Sequence, residues 1–102
     1  MMPITCMVQD RTLTISLSGE IDHHGAKGMI RTLDQQIDRS LPSQLILDLS
    51  GTTFMDSSGV AVVLRAWRRM GELQGHVQVT GAPSQALKVL RAAGVDKLIS
   101  LT

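Results

Sequence analysis

Two adjacent hydroxyl groups, those of Ser57 and Ser58, stand where an apolar segment gives way to a helical pattern. They belong to the stretch Phe54-Met55-Asp56-Ser57-Ser58-Gly59, between the apolar run 45–49 and the periodic segment 60–70. At a strand-to-helix junction the first backbone N–H groups of the helix lack partners within the helix, and the positive end of the helix dipole lies there. A serine there can accept phosphate, hold it or be modified by it. The stretch therefore predicts a site for phosphate chemistry.

The same residue types are also typical of an ordinary helix start. Asp56 can cap the helix through its carboxylate, and Gly59 relieves crowding where the backbone turns. Ser58 is one hydroxyl more than capping needs. For Phe54 and Met55 the sequence leaves two interpretations open, exposed contacts or side chains of the core.

Two other kinds of site, a metal site and a hydrolase active site, use some of the same residue types. His23 and His24 suggest a metal site with Asp22 and His76, but adjacent helical residues point about 100° apart, so we expect no metal. A serine on a strand-to-helix turn is also typical of a hydrolase elbow. The glycine that precedes such a serine by two positions is absent here, because Asp56 holds that position, and the chain is short for a substrate pocket. We therefore predict no catalytic residues and no enzyme.

Composition limits the size of the protein and its partners. A chain of 102 residues fits a single domain, 1–102. Its formal net charge of +1 argues neither for nor against a charged partner. Arg65, Arg68 and Arg69 cluster, but there is no basic tail and only one Trp and one Phe for base stacking, so we expect no direct nucleic-acid contact.

The location of the protein is predicted from its cysteine content and hydropathy. Cys6 has no second cysteine to pair with, which fits a reducing cytoplasm, and we expect it to be a buried apolar residue of a strand. No segment approaches the roughly 18 apolar residues of a membrane span. The expected protein is soluble, cytoplasmic and without a membrane anchor.

The elements that position the two serines alternate along the chain. Segments 4–8 and 12–18 read as strands around a turn at 9–11, and the second alternates apolar and polar residues like a half-buried strand. Segment 45–49 is nearly continuously apolar, as in a strand buried on both faces, with Asp48 at its end in water. Further strands are predicted at 76–80 and 98–101.

Three helices follow from the 3.6-residue period. The first has Asp22 as its N-cap and Leu41-Pro42 as its stop, and the third begins near Pro83 and ends near Gly94. The predicted buried positions are Ala26, Met29, Ile30, Leu33 and Ile37 in the first helix, and Val60, Val63, Leu64 and Trp67 in the second. This order predicts an α/β fold, a single mixed β-sheet of about 4–5 strands with helices packed mainly on one face.

Two motifs together carry a resemblance to a known family. The loop Gly19-Glu20-Ile21-Asp22-His23-His24, followed by the Phe54 to Gly59 stretch, resembles the STAS domain of anti-sigma factor antagonists, and most closely the sporulation branch of that family. The similarity runs from about Ile4 to Leu101. Asp-Ser-Ser-Gly alone would be a weak pattern, but its combination with the histidine-containing loop is specific.

The resemblance implies partner switching. In that family the unphosphorylated antagonist captures an anti-sigma factor, which is also a serine kinase of the histidine-kinase-like ATPase fold, and so frees a sigma factor for transcription. The kinase inactivates the antagonist by phosphorylating the second serine of the motif, and a PP2C-type phosphatase restores it. Carried over, the phosphoacceptor is Ser58, and the expected free protein is a monomer without cofactor. The expected partner-binding residues are Asp22, His23, His24, Phe54, Met55, Asp56, Ser57, Ser58 and Gly59.

Other roles of STAS domains share the Asp-Ser-Ser-Gly motif. They include a general-stress antagonist, a stressosome subunit and a transporter-associated subunit, and a small serine hydrolase is a more distant alternative. The loop at 19–24 favours the sporulation branch.

Overall fold

A five-stranded mixed sheet forms the centre of the structure, a computed structural model that describes residues 4–102. The strand order is β1 (Ile4–Gln9), β2 (Thr12–Leu17), β4 (Gln44–Asp48), β6 (His76–Thr80) and β7 (Ser100–Leu101). Only the β1–β2 pair is antiparallel, and its two-residue turn has positive φ at Asp10 and Arg11 (51° and 65°), as in the turns that suit tight hairpins.

Helices cover one face of this sheet. They are α1, His23–Ser40; α2, Ser57–Glu72; and α3, Ser84–Ala92, with a short 3-10 helix at Val95–Lys97. The alternating residues that face them are buried, among them Leu13, Ile15, Leu17, Leu45, Leu47 and Val79. The α/β class and the mixed sheet predicted from the sequence are confirmed. Within residues 4–102, no helix is both long and apolar enough to cross a bilayer.

The caps that the sequence predicts for α1 lie where they were expected. Asp22 is the N-cap, and the helix ends at Leu41, whose left-handed φ of 44° breaks the helical path just before Pro42. Leu41 N–H still donates to the Ile37 carbonyl at 2.8 Å. Gly94, with φ of +79°, follows the last residues of α3 in the same way.

Three predictions about buried residues are wrong. Ile46 is only half-buried, so β4 is not enclosed on both sides, because all the helices lie on the other face. Cys6 is exposed, because β1 is an edge strand. On α2, Val60 and Val63 are buried as predicted, but Leu64 is only half-buried and Trp67 is 43% exposed. The buried side also includes Val62, Ala66 and Met70.

Asp48 lies at the end of β4 with its head partly in water, as the sequence predicts. Its Oδ1 accepts a hydrogen bond from Ser50 N–H at 3.0 Å, and Ser16 Oγ donates to its Oδ2 at 3.4 Å. The hydrogen bonds from Ser50 lower the pKa of the Asp48 carboxyl. The carboxylate is therefore compatible with this half-buried position.

A second, two-stranded ladder was not predicted from the sequence. Its strands are β3, Gly19–Ile21, and β5, Thr52–Met55, and they run parallel. Three- and four-residue strands are too short to show a period, so the pattern gave no signal. Thr52 attaches the ladder to the main sheet through its Oγ1, which donates to the Leu17 carbonyl at 2.9 Å.

Candidate functional site

The β3–β5 ladder brings two helix starts side by side. Ile21 pairs with Met55 at the ends of the two strands, and each is followed at once by an aspartate, Asp22 or Asp56. The backbone N–H of Asp56 donates to the Ile21 carbonyl at 3.3 Å. The two sequence motifs, more than thirty positions apart, therefore meet at one edge of the molecule.

Asp22 caps α1 as predicted. Its backbone is extended, and its Oδ1 accepts hydrogen bonds from the N–H groups of His24 and Gly25, both at 3.0 Å. His23 and His24 are exposed, with their rings in an edge-to-face arrangement 6.0 Å apart. Among the residues that the structure describes, no group of three or more His, Cys, Asp or Glu side chains is placed to hold a metal ion.

Asp56 caps α2 in the same way. Its Oδ1 accepts from Ser58 N–H at 2.7 Å, and its carbonyl accepts from Gly59 N–H at 3.0 Å. Ser57, the first helical residue, is exposed, and Ser58 is half-buried. Ser58 therefore lies in the first turn of α2, where the dipole favours negative charge.

The structure resolves the two interpretations of Phe54 and Met55. Phe54 is 43% exposed beside Glu20, whereas Met55 is fully buried. Gly59 is buried as well, and a Cβ on it would lie only 2.3 Å from Met55 Cγ. Met55 and Gly59 are therefore not exposed on the surface of this structure, unlike the other predicted partner-binding residues. They pack against each other beneath the surface, and this packing fixes the position of the first turn of α2 relative to the end of β5.

Sequence reasoning missed Gln85, the second residue of α3. Its Oε1 accepts from Met55 N–H at 2.9 Å, and its Nε2 donates to the Met55 carbonyl at 2.7 Å. The amide thus occupies the free edge of β5 as a neighbouring strand would. No local pattern indicates this contact, because the two residues are 30 positions apart.

Most of the predicted arginine cluster serves to join α1 and α2. Arg65 makes a two-pronged contact with Asp34 (Nε–Oδ1 3.2 Å, Nη2–Oδ2 2.9 Å), and Arg69 Nη1 lies 2.9 Å from Asp34 Oδ1. Arg69 also pairs with Asp38 and with Glu72. Partial burial opposes ionisation of Asp34, but hydrogen bonds and charge from the two arginines outweigh it and lower the pKa of this carboxyl.

Comparison with known proteins places this arrangement in a family. The profile of the family described as "Mlab, STAS domain" matches residues 5–100. The anti-sigma F factor antagonist of Lysinibacillus sphaericus is 32% identical over 87% of this chain and 76% of its own length. The solved structure of the unphosphorylated anti-sigma factor antagonist SpoIIAA superposes with a TM-score of 0.83 at 26% identity, covering 97% of this chain and 87% of that one. The phosphorylated form of SpoIIAA from Bacillus gives 0.75 at 26% identity, covering 97% and 90%.

The matching profile and the superposed structures identify this fold as a STAS domain, and the antagonists that contain it are regulatory binding proteins and not enzymes. The chain belongs to the anti-sigma factor antagonist family of STAS proteins. Antagonists of this family bind anti-sigma factors. The predicted family is confirmed, and the serine hydrolase alternative is not supported.

Proposed function

We propose that the unphosphorylated chain captures an anti-sigma factor that is also a serine kinase of the ATPase fold, and thereby frees a sigma factor for transcription during sporulation. The observation that carries this proposal is the meeting of the Asp22 loop and the Asp56-Ser57-Ser58 helix start at the end of one ladder. This edge presents a half-buried serine hydroxyl next to exposed polar and aromatic side chains. Such a surface suits a docking protein better than a small substrate.

Phosphorylation of Ser58 is the proposed off-switch. A phosphate adds about −1.5 to −2 charges at neutral pH. The first turn of α2 tolerates this charge because its dipole favours anions, so the domain stays folded. A partner whose carboxylates or apolar atoms face Ser58 is repelled. A relative solved in a phosphorylated form, with the same fold, supports a fold-preserving switch.

The proposed surface consists of the exposed and half-exposed residues of the junction: Asp22, His23, His24, Phe54, Asp56, Ser57 and Ser58. Met55 and Gly59 shape this surface from below. A PP2C-type phosphatase would remove the phosphate. We further propose that residues 1–102 act as one domain in the cytoplasm, monomeric when free, and that the switch needs no cofactor.

The test is capture from a lysate of the source organism with immobilised protein, followed by phosphorylation with the captured kinase and ATP. The wild type and Ser58→Ala should retain an ATPase-fold kinase, whereas Ser58→Asp should not. Ser84→Asp is the matched control, because it adds the same charge in the first turn of another helix, α3, at an exposed residue outside the proposed surface, and it should still retain the kinase. Phosphate found by mass spectrometry only on Ser57, or on no residue, would contradict the assignment.

A second candidate is another STAS role: a general-stress antagonist, a stressosome subunit or a transporter-associated subunit. The two roles that are not those of an antagonist are favoured by the matching profile, whose description names Mlab and not an anti-sigma factor antagonist. The same capture experiment separates the two. Recovery of a transporter subunit or of a large STAS assembly, without a kinase, would favour this candidate.

A further inference from the structure

The end of β5 is held from both sides, although β5 is an edge strand. On one side β3 pairs with it, and Asp56 N–H donates to the Ile21 carbonyl at 3.3 Å. On the other side no strand within residues 4–102 pairs with it, and the Met55 N–H and C=O point to the Gln85 amide at 2.9 and 2.7 Å. The segment that leads into the serine turn is thus fixed by a single side chain on its outer edge.

A glutamine amide is well suited to this position. It offers one acceptor and two donors in one plane, so it can satisfy the N–H and the C=O of one residue at once. A buried backbone group left without a partner is costly, and Met55 is fully buried. Gln85 itself is exposed and its two bonds are part-buried, so after its loss both groups of Met55 would turn to water or to other partners, and the backbone at 55–56 would be free to shift.

Any such shift passes directly to the serine turn. Met55 is followed by Asp56, whose carboxylate accepts from Ser58 N–H at 2.7 Å, and the Met55 side chain lies against Gly59. The Met55 backbone and side chain therefore locate both ends of the Asp56–Gly59 turn. Gln85 lies on a different helix from Ser58, so α3 takes part in placing the hydroxyl of α2.

We propose that Gln85 is a positioning residue for the phosphoacceptor turn: its side-chain amide holds Met55 so that Ser58 is presented in the orientation that the anti-sigma factor binds. The part of this inference that concerns binding rests on the proposed function. Gln85 need not touch the partner for this role. Its effect reaches Ser58 through the backbone of residues 55–56.

Two measurements on Gln85→Ala test the proposal: hydrogen exchange of the backbone amides of residues 55–59, and the Kd for the anti-sigma factor. We expect exchange of the Met55 amide to accelerate about tenfold or more, and capture to weaken about tenfold, because two part-buried hydrogen bonds are lost. Gln85→Glu should fall between wild type and Gln85→Ala. Its carboxylate still accepts from the Met55 N–H but, when ionised, cannot donate to the Met55 carbonyl.

The matched control is Leu90→Val, which trims a buried side chain of the same helix. It should lower global stability without accelerating exchange selectively at 55–59 and without weakening capture. Weaker capture by Gln85→Ala with unchanged exchange at 55–59 would overturn the proposal, since it indicates direct contact with the partner. Unchanged capture would overturn it as well. A wild-type protein that captures no anti-sigma factor would refute the proposed function, and this result is read from the wild-type sample alone.

Discussion

Replacing Gly59 by alanine tests whether close packing of Met55 sets the start of α2. An alanine in a helix interior is intrinsically better than glycine by about 1 kcal/mol, so propensity alone predicts stabilisation. At Gly59, however, the new Cβ would lie 2.3 Å from Met55 Cγ, 3.0 Å from Sδ and 3.1 Å from Cε. The first distance is more than 1 Å inside the usual carbon–carbon contact of about 3.5–4.0 Å.

A displacement of Met55 away from the new methyl group would cost free energy. Its side chain is fully buried, its backbone is held by Gln85, and the closest atom is Cγ, near the root of the side chain. Overpacking of this kind costs about 1–3 kcal/mol, and the enclosure puts Gly59→Ala near the upper end. After the propensity gain is subtracted, we expect a net loss of about 2 kcal/mol, or a Tm roughly 10 °C lower.

The assay is urea unfolding followed by far-ultraviolet circular dichroism, with Gly28→Ala as the matched control. Gly28 is an exposed glycine within α1, and a Cβ there would meet no atom within 4 Å. Gly28→Ala should therefore stabilise the protein by up to about 1 kcal/mol, the opposite sign. In a Met55→Ala background the added methyl at Gly59 should become neutral or favourable. Gly59→Ala as stable as the wild type, with Met55 intact, would refute the packing argument.

Three further predictions concern the switch, the caps and the helix pair. Ser58→Asp should weaken capture of the anti-sigma factor about a hundredfold. The reason is that two like charges about 5 Å apart, at an effective dielectric of about 20, repel each other by about 3 kcal/mol. Titration calorimetry should show this loss of affinity, and an affinity equal to that of the wild type would contradict it. Asp56→Ala should lose about 1 kcal/mol of stability in urea unfolding, whereas Asp56→Asn, which still caps α2, should lose much less if capping is the main role of this side chain. Asp34→Asn should lose at most about 1 kcal/mol, because the contacts with Arg65 and Arg69 are near the surface. The pKa of Asp34 is lowered in the folded state, so its contribution is present above its unfolded pKa of about 3.9 and disappears as the pH falls through the folded value. The stability difference between wild type and Asp34→Asn should thus be constant near neutral pH and shrink progressively as the pH falls below the unfolded pKa. A difference that stays constant or grows as the pH falls through the acid range would be inconsistent with the ion pair.

Much of the fold was predictable because its signals are local. A helix start is determined by a side chain and the N–H groups two or three residues later, so Asp22 and Asp56 could be assigned as caps from sequence spacing. The alternation of Leu13, Ile15 and Leu17 with hydroxyl residues likewise predicts a half-buried strand. The location of Ser58 in the first turn of a helix follows from the same local rules.

The burial of individual apolar residues was less predictable. Phe54 and Met55 are adjacent and both apolar, yet one is exposed and the other fully buried, because successive residues of a strand point to opposite sides. Which side faces the core depends on where β5 lies relative to the helices. The same applies to Trp67, which the period places near the apolar stripe of α2 but which lies outside the contact of α2 with the sheet.

The sequence by itself determined the α/β order, the two capped helix starts and, through the two motifs, the family to which the chain belongs. Only the tertiary structure decided that the two starts adjoin, that Met55 lies under Gly59 and that Gln85 holds the Met55 backbone. The physical reason is the distance along the chain between the residues that interact. Caps and periods depend on neighbours within one or two turns of the chain, whereas strand pairing and side-chain-to-backbone contacts across some thirty residues depend on how the helices and strands pack around a common core.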